Sequence, residues 1–586
     1  MNETMTGAEM VIRAFQDQDV EYIFGYPGGA VLPLYDAMYK QDVLKHILVR
    51  HEQAALHAAE GYARSTGKIG CVIVTSGPGA TNAITGLADA FMDSIPLVCI
   101  SGQVPTSLIG SDAFQECDTV GVTRHCTKHN YLVKSIEDLP RILHEAFYVA
   151  STGRPGPVVI DLPKDIQFAI GEYQKPENSR HKTYRPITKG NPERIQKAVE
   201  MMTEAKRPVF YTGSGVINSG ETGPKYLREL VNLTGFPITS TLLGLGAYPG
   251  DGEQFLGMLG MHGTYEANMT MHDSDLIIAV GARFDDRVTG RLDAFAPYAK
   301  IIHIDIDPSS INKIVPVDLA ILGDSGSVLE DMVHLWKKNL CSADKESLSQ
   351  WWKQIESWRA RKCLSYKASR DVIKPQYALE RLYAAIKDRD TYITTEVGQH
   401  QMWAAQFLKF REPHRLMTSG GLGTMGYGLP AAIGVQLAHP DSLVIDIGGD
   451  GSIQMNIQEL ATAAQYGLPV KLFILNNGYL GMVRQWQELL HGRRYSESHA
   501  DFLPDFMKLV EAYGGTGIHC EKPEDLDDAI DRMIKTEGLV FLDCIVDGEE
   551  NCFPMIPSGK AHNDMLLGDS VEDISSVIDE KGRQLV

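Results

Sequence analysis

The sequence predicts an α/β protein built from three doubly wound parallel-sheet domains, and three observations support this prediction. Short apolar runs alternate with helical patterns along most of the 586 residues, which is typical of parallel sheets covered by helices. Glycine-rich turns follow several of these runs, where such sheets bind their ligands. Two polar stretches, 171–192 and 341–350, divide the chain into three blocks of domain size. A tryptophan-bearing helical segment follows the second stretch and leads to the third block near Pro375.

These breaks predict a sequence of domains and linkers. We expect a first domain at 1–170, a linker at 171–192 and a central domain at 193–340. A second linker follows at 341–374, then a third domain at 375–550 and a C-terminal tail at 551–586. The first and third blocks resemble each other, because each leads from a small-residue helix through an apolar strand to a glycine turn. The first turn reads GPG and the other GDG. Either a duplication or the general similarity of doubly wound domains can explain this pattern.

Composition excludes several classes of function. The net charge of −20 argues against a nucleic-acid partner or an anionic membrane, since both need clustered Lys and Arg. No uncharged apolar run reaches the roughly 18 residues of a membrane span. Nine cysteines without a CxxC pair indicate free thiols in a reducing compartment. No long targeting extension precedes the first helix, so we expect a cytoplasmic enzyme of bacterial type.

A magnesium site is predicted at the edge of the third sheet. Asp450 follows a buried apolar run within DIGGDGSIQMN, before a predicted helix at 457–466, and Asn477 follows the run LPVKLFIL. Adjacent parallel strands end at the same edge, so these side chains can converge. Their oxygens suit Mg²⁺, and the glycine turn suits a phosphate. A helix cap would explain Asp450 alone, and an Asn-Asn-Gly turn would explain Asn477 alone, but neither explains both residues at this spacing.

This spacing of GDG and NN resembles the signature of thiamine diphosphate enzymes. The resemblance implies that Mg²⁺ tethers the diphosphate, and that a glutamate of another domain, normally on the partner subunit, contacts the aminopyrimidine ring. Glu52 fits this role, because it begins an alanine-rich helix after an apolar strand. Met425 matches the apolar residue beneath the cofactor. The simpler alternatives are a first-turn helix carboxylate for Glu52 and a core side chain for Met425.

The central block carries a weaker nucleotide signal. Gly213 and Gly215 follow the strand PVFY, while Asp305 lies at the end of the strand in KIIHIDIDPSS. Such carboxylates bind ribose hydroxyls in dinucleotide-binding domains, although they also cap helices. The residues alone leave both interpretations open.

Longer strings extend the resemblance to a particular family. Residues 5 to 557 resemble the catalytic subunit of acetohydroxyacid (acetolactate) synthase through FGYPGGAVLPLYDA, RHEQAALHAAEGYARSTGK, TSGPGATN, SGQVPTSLIGSDAFQE, GRPGPVVIDLPKD, GMLGMHGT, GARFDDRVTG and NNGYLGMVRQWQ. The resemblance implies pyrimidine-binding, FAD-binding and diphosphate-binding domains. It also implies a homodimer or tetramer with active sites between subunits, and a small regulatory subunit.

The same resemblance assigns roles to individual residues. The metal ligands are Asp450, Asn477 and the Tyr479 carbonyl. Thiamine diphosphate contacts are Glu52, Met425, Gly451, Ser452 and Met482. FAD contacts are Arg154, Gly213, Gly215, His262, Gly263, Thr264, Gly281, Ala282, Arg283, Asp305, Ile306 and Asp324. The reaction pocket is bordered by Gly29, Gln115 and Lys164, and the second keto acid is bound by Arg287, Trp486 and Met261.

The activity implied is a carboligation. The enzyme decarboxylates pyruvate and joins the two-carbon unit to a second pyruvate, giving 2-acetolactate, or to 2-ketobutyrate, giving 2-aceto-2-hydroxybutyrate. This is an early step towards valine, leucine and isoleucine, and FAD is structural because the net reaction needs no oxidation. Three alternatives are a thiamine diphosphate- and FAD-dependent pyruvate oxidase, a catabolic acetolactate synthase without FAD, and a non-catalytic nucleotide-binding module. Arg287 within GARFDDRVTG argues against the second, and Glu52 with Asp450 and Asn477 against the third.

Overall fold

Three six-stranded parallel sheets, each flanked by helices, form the core of the chain. The computed structural model describes residues 3–568. The predicted fold class is confirmed. None of the nine cysteines, all of which lie in this range, forms a disulfide. No helix between residues 3 and 568 has both the length and the apolar character needed to cross a membrane.

The first domain contains one parallel sheet and a small antiparallel pair. Its strands are β1 (Glu3–Thr6), β2 (Tyr22–Gly25), β3 (Lys45–Leu48), β4 (Gly70–Val74), β5 (Leu97–Gln103), β6 (His129–Leu132), β7 (Pro157–Pro163) and β8 (Ile170–Tyr173). Its helices are α1 (Gly7–Asp17), α2 (Leu32–Tyr39), α3 (Glu52–Thr66), α4 (Pro78–Asn82), α5 (Ile84–Asp93), α6 (Thr119–Thr123), α7 (Leu139–Ser151) and α8 (Lys164–Phe168). Every residue of the central strands β4, β5 and β7 is buried, as expected for strands covered on both faces.

The central domain has the strand order of a dinucleotide-binding fold. Its strands are β9 (Pro208–Thr212), β10 (Ile238–Ser240), β11 (Phe255–Met258), β12 (Leu276–Val280), β13 (Lys300–Asp305) and β14 (Leu319–Leu322). Its helices are α9 (Pro192–Glu204), α10 (Ser214–Asn218), α11 (Thr222–Thr234), α12 (Tyr265–Asp273), α13 (Asp286–Thr289), α14 (Ser325–Lys338) and α15 (Lys345–Arg359). The order β11-β10-β9-β12-β13-β14 reverses direction between β9 and β12, and ligands bind at such a switch point.

The third domain contains the predicted metal edge. Its strands are β15 (Thr391–Thr395), β16 (Leu416–Met417), β17 (Leu443–Gly449), β18 (Lys471–Asn476), β19 (Thr516–Cys520) and β20 (Val540–Ile545). Its helices are α16 (Pro375–Ile386), α17 (Gln399–Phe407), α18 (Gly428–Ala438), α19 (Leu460–Gln465), α20 (Gly481–Leu490), α21 (Phe506–Ala512) and α22 (Leu526–Lys535). Short 3₁₀ turns complete the fold at Gly29–Val31, Thr106–Leu108, Leu242–Gly244, Leu292–Ala294, Ile453–Glu459, Pro523–Asp525 and His562–Asp564.

The first and third domains share one topology. Their sheets run β3-β2-β4-β5-β7-β6 and β16-β15-β17-β18-β20-β19, which is the same order when each domain's strands are counted from its first parallel strand. The shared order supports the duplication interpretation of the two blocks. It also places the GPG and GDG turns after equivalent strands, β4 and β17.

The two related domains meet through helices α3 and α18, which approach each other at two glycines. A Cβ atom added at Gly434 would lie 1.8 Å from the carbonyl oxygen of Ala58. A Cβ atom added at Gly61 would lie 2.2 Å from the carbonyl oxygen of Ala431. Both obstacles are backbone atoms, so neither helix can make room for a side chain without moving as a whole.

The structure differs from the predicted boundaries in three places. The stretch 171–192 is not entirely a linker, because β8 pairs with β1 in an antiparallel ribbon. The helical segment expected within 341–374 is α15, but it belongs to the central domain rather than to a linker, because Trp351 donates its indole N–H to the Pro208 carbonyl at 3.1 Å. Residues 551–568 pack on the central domain, where the Ile556 N–H donates to the Met261 carbonyl at 2.8 Å. The remainder of the predicted tail lies outside the described residues.

A smaller difference concerns the helix predicted at 457–466. The chain turns earlier, as the 3₁₀ segment Ile453–Glu459, and continues as α19 from Leu460. Non-helical backbone angles at Asn456 interrupt the segment. The Asn456 side-chain amide donates to the Gly426 carbonyl at 2.7 Å, so a tertiary contact fixes this irregular start.

Gly434→Ala should destabilise the protein, although Gly→Ala in a helix interior normally stabilises by up to about 1 kcal/mol. The added methyl group overpacks the contact with Ala58, and overpacking costs about 1–3 kcal/mol. The measurement is the midpoint of thermal unfolding. Gly156→Ala is the control, because its Cβ atom would meet the Lys128 side chain at an ordinary 3.4 Å. An unchanged or raised midpoint for Gly434→Ala would contradict the close helix contact.

Candidate active site

Asp450 and Asn477 meet at the carboxyl edge of the third sheet. Strands β17 and β18 are parallel neighbours, and the Asn477 N–H donates to Asp450 Oδ1 at 3.3 Å. The second oxygen, Oδ2, is buried without a hydrogen-bond partner among the described residues. Burial raises the pKa of Asp450 to about 6. A buried carboxylate oxygen with no donor is a natural ligand for a cation.

The turn after β18 presents further oxygen atoms at this edge. Gly478 has a positive φ of 68°, which bends the chain so that the Tyr479 N–H donates to Asn477 Oδ1 at 3.0 Å. Tyr479 forms a bridge with His499. The hydrogen bonds of that bridge use the Gly478 carbonyl and the Leu480 N–H, so the bridge does not use the Tyr479 carbonyl. Both predicted oxygen donors therefore belong to the turn whose first residue, Asn477, is hydrogen-bonded to Asp450.

Three residues of α17 support this edge and were not found from the sequence. Gln399 Oε1 accepts a hydrogen bond from Asn477 Nδ2 at 3.4 Å, which directs the Asn477 side-chain amide. The ring of buried His400 lies against Gly449, where a Cβ atom would be 2.9 Å from its Nδ1. Gln401 lies one residue further along and donates to the Ser419 carbonyl at 2.8 Å. The sequence feature that could have identified these three residues is their position shortly after β15, at the same sheet edge.

The glycine turn beside Asp450 is compact. Ser452 Oγ lies 3.3 Å from both the N–H and the carbonyl oxygen of Gly449, so the serine closes the turn. A Cβ atom at Gly451 would lie 2.8 Å from the Leu480 side chain. These contacts account for the small residues at 451 and 452.

Glu52 begins helix α3 at the carboxyl edge of the first sheet. Its side chain is nearly buried, with 9% exposed, and Oε2 accepts a hydrogen bond from Asn82 Nδ2 at 3.0 Å. A Cβ atom at Gly79 would lie 3.5 Å from Oε1. The turn after β4 therefore packs closely around the glutamate. Asn82 was not identified from the sequence, although it ends the TSGPGATN string.

The other pocket residues predicted in the first domain lie on loops at this same edge. Gly29 follows β2, and a Cβ atom there would meet no atom of the described chain within 4 Å. Gln115 has a positive φ of 60°, and its carbonyl oxygen would lie 2.8 Å from a Cβ atom at Gly77. Lys164 begins α8 directly after β7 and is half-buried.

A large cavity of about 1650 Å³ lies between the central and third domains, and residues of the first domain such as Met92 and Arg154 also line it. Its wall contains most of the residues predicted to contact FAD: Arg154, Gly213, Gly215, His262, Gly281, Ala282, Arg283, Asp305, Ile306 and Asp324. It also contains Met425 and Met482, predicted to contact thiamine diphosphate. The nucleotide-type turns of one domain and the cofactor residues of another therefore border one space.

Two predicted FAD contacts lie outside the cavity wall. Thr264 caps helix α12, where its hydroxyl accepts from the Ala267 N–H at 3.2 Å and donates to the Leu256 carbonyl at 2.5 Å. Gly263 packs against Leu259, whose Cα would be 2.5 Å from an added Cβ atom. Both residues therefore have structural roles beside the cavity.

The three residues predicted to bind the second keto acid come together on the cavity wall. Arg287 Nη1 lies 3.5 Å from Met261 Sδ, and the Met261 N–H donates to the Arg287 carbonyl at 2.7 Å. Trp486 packs with Met261 in a small apolar cluster that includes Leu489 and Met555. Arg287 remains exposed, so its guanidinium is available to an anion.

The predicted site residues thus form two groups. Within the described chain, the cavity wall includes none of the residues predicted at the first-domain edge, namely Glu52, Gly29, Gln115 and Lys164. The hydrogen-bond partner of Glu52, Asn82, also belongs to the first domain. One chain therefore presents the Glu52 edge and, in a separate group, the edge predicted to bind a metal together with the cavity residues.

Family comparisons identify the class that this fold and site define. The "Thiamine pyrophosphate enzyme, N-terminal TPP binding domain" model matches residues 5–122, the central-domain model matches 195–332, and the C-terminal TPP binding domain model matches 396–544. The fold, the two sheet edges and these matches define a thiamine pyrophosphate-dependent enzyme.

Individual relatives narrow the class. The chain is 52% identical to the "Acetolactate synthase isozyme 3 large subunit" of Escherichia coli over 570 residues, covering 96% of this chain and 99% of the relative. It is 50% identical to the "Acetolactate synthase large subunit" of Haemophilus influenzae over 573 residues, covering 97% and 99%. It is 47% identical to the "Acetolactate synthase" of Mycobacterium leprae over 570 residues, covering 96% and 90%. The chain belongs to the acetolactate synthase family.

Proposed function

We propose that this protein is the large catalytic subunit of an acetolactate synthase, which makes 2-acetolactate from two pyruvates and 2-aceto-2-hydroxybutyrate from pyruvate and 2-ketobutyrate. The observation that carries the proposal is the single cavity that places Met425 and Met482 beside Arg287 and Trp486. A cofactor site thereby opens towards a cationic and apolar wall, as the joining of two keto acids requires. Family membership favours this carboligation over the pyruvate oxidase alternative.

Asp450, Asn477 and the Tyr479 carbonyl would hold Mg²⁺. The fit rests on the buried Asp450 Oδ2, which has no hydrogen-bond donor among the described residues and would gain a partner in the cation. These three oxygen donors would leave three positions of an octahedron for diphosphate oxygens and water. Gln399 would keep the Asn477 amide in a fixed orientation through its 3.4 Å contact.

Thiamine diphosphate, when bound, would supply the nucleophilic carbon that the decarboxylation of pyruvate and the transfer of a two-carbon unit require. Glu52 would hold a proton on its carboxyl group opposite a ring nitrogen of the aminopyrimidine. The 3.0 Å hydrogen bond from Asn82 fixes one oxygen of Glu52 and leaves the other directed away from it. Burial of the carboxyl group excludes water from this exchange.

The cavity residues of the central domain fit FAD. The turns at Gly213, Gly215 and Gly281 bring backbone close to the cavity, and Arg154 of the first domain, which also lines the cavity, would provide a cation for the phosphates. His262 is buried, its Nε2 has no partner in the described chain, and burial lowers its pKa to about 4. A neutral imidazole with an unused nitrogen suits a polar group of a bound flavin.

Active sites between subunits explain why Glu52 and the metal edge are separated in one chain. Large apolar side chains are exposed in the sequence neighbourhoods of both groups, including Phe114 and Leu32 near Gln115 and Gly29, and Met455 near Asp450. Exposed apolar side chains gathered around functional loops mark interaction surfaces. A dimer that places one chain's Glu52 edge against the partner's metal edge would cover them.

A small regulatory subunit is the other partner that we propose, because the relatives from Escherichia coli and Haemophilus influenzae are named large subunits. A dimer or a tetramer could form the core of the assembly. The cytoplasmic location stays a prediction from the sequence.

The direct test is incubation of the purified protein with pyruvate, thiamine diphosphate, Mg²⁺ and FAD without oxygen, followed by identification of the product. We expect 2-acetolactate and CO₂ in equal amounts, with the flavin absorbance unchanged. Formation of acetyl phosphate or acetate with loss of the oxidised-flavin absorbance would support the oxidase instead. Omission of thiamine diphosphate is the matched control.

Asp450→Ala and Glu52→Gln should separate binding of thiamine diphosphate from its activation. Asp450→Ala should abolish Mg²⁺-dependent cofactor binding in calorimetry, because the diphosphate loses its cation bridge. Glu52→Gln should still bind the cofactor, but exchange of the proton on its C2 atom for deuterium should slow by about 10²–10⁴-fold. Retained affinity in the first variant, or unchanged exchange in the second, would contradict the assigned role.

Trp486→Leu and Arg287→Gln should change product formation in different ways when both keto acids compete as acceptors. An apolar wall discriminates one methylene by about 1–3 kcal/mol, so Trp486→Leu should lower the ratio of acetohydroxybutyrate to acetolactate and largely preserve pyruvate turnover. Arg287 pairs with a carboxylate that both acceptors carry, so Arg287→Gln should weaken the use of both. Quantifying both products tests this, and an unchanged ratio in Trp486→Leu would show that the tryptophan only packs.

A further inference from the structure

The segment from Thr418 to Tyr427, which we term the glycine loop, connects β16 to α18 and carries Met425. It lines the cavity with Ser419, Gly420, Gly421 and Gly423. Its four glycines give the free chain wide conformational freedom. A loop of this composition needs external contacts to hold one conformation against the entropy of the alternatives.

Buried carboxylates provide those contacts. Asp93, at the end of α5 in the first domain, accepts from the Gly421 N–H through Oδ1 at 2.7 Å and from the Gly420 N–H through Oδ2 at 2.8 Å. At the other end of the loop, Glu396 accepts from the Gly426 N–H at 2.6 Å and from the Leu429 N–H at 3.2 Å. Asp93 is 4% exposed and Glu396 is fully buried.

A cation and a hydroxyl complete the attachment to the first domain. Arg64 donates to the Thr418 carbonyl at 2.6 Å and lies 3.5 Å from Asp93 Oδ2. Ser419 donates to Asp89 Oδ1 at 2.9 Å and accepts from the Thr424 N–H at 2.8 Å. The loop of the third domain is therefore held by side chains from a different domain.

Space as well as hydrogen bonding restricts this contact. A Cβ atom at Gly421 would lie 2.7 Å from Asp93 Oδ1, so a side chain there would displace the carboxylate. Burial raises the pKa of Asp93, while Arg64 and the N–H groups of Gly420 and Gly421 favour its ionised form. Bonds from N–H groups to an ionised acceptor are about twice as strong as neutral ones.

We propose that Asp93 is a positioning residue, which fixes the glycine loop and thereby makes thiamine diphosphate binding in the third domain depend on the first domain of the same chain. The inference rests on the proposed cofactor site, because Met425 and the cavity wall give the loop its functional meaning. Asp93 itself touches neither substrate nor cofactor in this role. It acts through Gly420 and Gly421.

The two aspartates of α5 provide a matched pair of variants. Both oxygens of Asp93 accept backbone N–H groups, so Asp93→Asn places an NH₂ group against one of them and loses that bond. Asp89 uses only Oδ1 for Ser419, and its Oδ2 has no hydrogen-bond partner in the described chain. Asp89→Asn therefore keeps an oxygen that can accept the 2.9 Å bond from Ser419 and loses no other hydrogen bond.

The experiment measures the thiamine diphosphate concentration for half-maximal activity, and kcat at saturating cofactor, in the wild type and both variants. Asp93→Asn should raise the half-saturating concentration by about 10–100-fold, the loss of one charged hydrogen bond, while kcat stays within about threefold. Asp89→Asn should change neither by more than about twofold. A variant that merely unfolds more easily would lose active enzyme and leave the half-saturating concentration unchanged, which would overturn the proposal. Equal shifts in the two variants would also overturn it.

Hydrogen exchange of the wild-type holoenzyme gives a test that requires no variant. The Gly420 and Gly421 amides should exchange at least about 100-fold more slowly than unstructured amides. Exchange at the rate of unstructured amides would contradict their hydrogen bonds to Asp93. A wild type without thiamine diphosphate-dependent acetolactate formation would refute the proposed function. An active wild type with an unaffected Asp93→Asn variant would refute the positioning role alone.

Discussion

The close contact between α3 and α18 is the constraint on which the rest of this molecule depends. Glycines at 61 and 434 let the two backbones approach so closely that neither tolerates a Cβ atom. This contact fixes the first domain on the third and sets the position of α5, whose carboxylates reach the glycine loop. Helix α3 also begins with Glu52, so one helix both joins the domains and presents the acid expected to act on the cofactor.

The two related domains carry different side chains at equivalent places of one fold. The turns after β4 and β17 both contain the glycines that let backbone approach a ligand, but only the second contains a carboxylate. Asp450 at that turn has a buried oxygen without a donor, whereas the turn after β4 packs around Glu52. A shared fold therefore presents a buried, unpartnered carboxylate at one edge, where we propose the metal, and Glu52 at the other, where we propose the proton exchange.

The sequence predicted features that depend on local pattern and missed those that depend on contacts distant along the chain. Buried apolar runs and glycine turns predicted the parallel sheets and the convergence of Asp450 with Asn477, because adjacent parallel strands end at one edge. Gln399 and His400 carry no local pattern of their own, and only the fold brings them to that edge. The irregular start at Ile453 depends on Asn456 reaching Gly426, and the strand β8 depends on a partner more than 160 residues away.

The construction of the cavity wall has a consequence for how this enzyme family can diversify. Met261 joins Arg287 through its backbone N–H and Ile556 through its carbonyl, while Trp486 approaches from α20. The proposed acceptor wall is therefore assembled from segments distant in the chain, and none of its side chains belongs to the proposed metal edge or the Glu52 edge. If this wall binds the acceptor, replacements in it would alter which keto acid is accepted without disturbing the residues of either edge, and substrate range and core chemistry would be free to evolve at different rates.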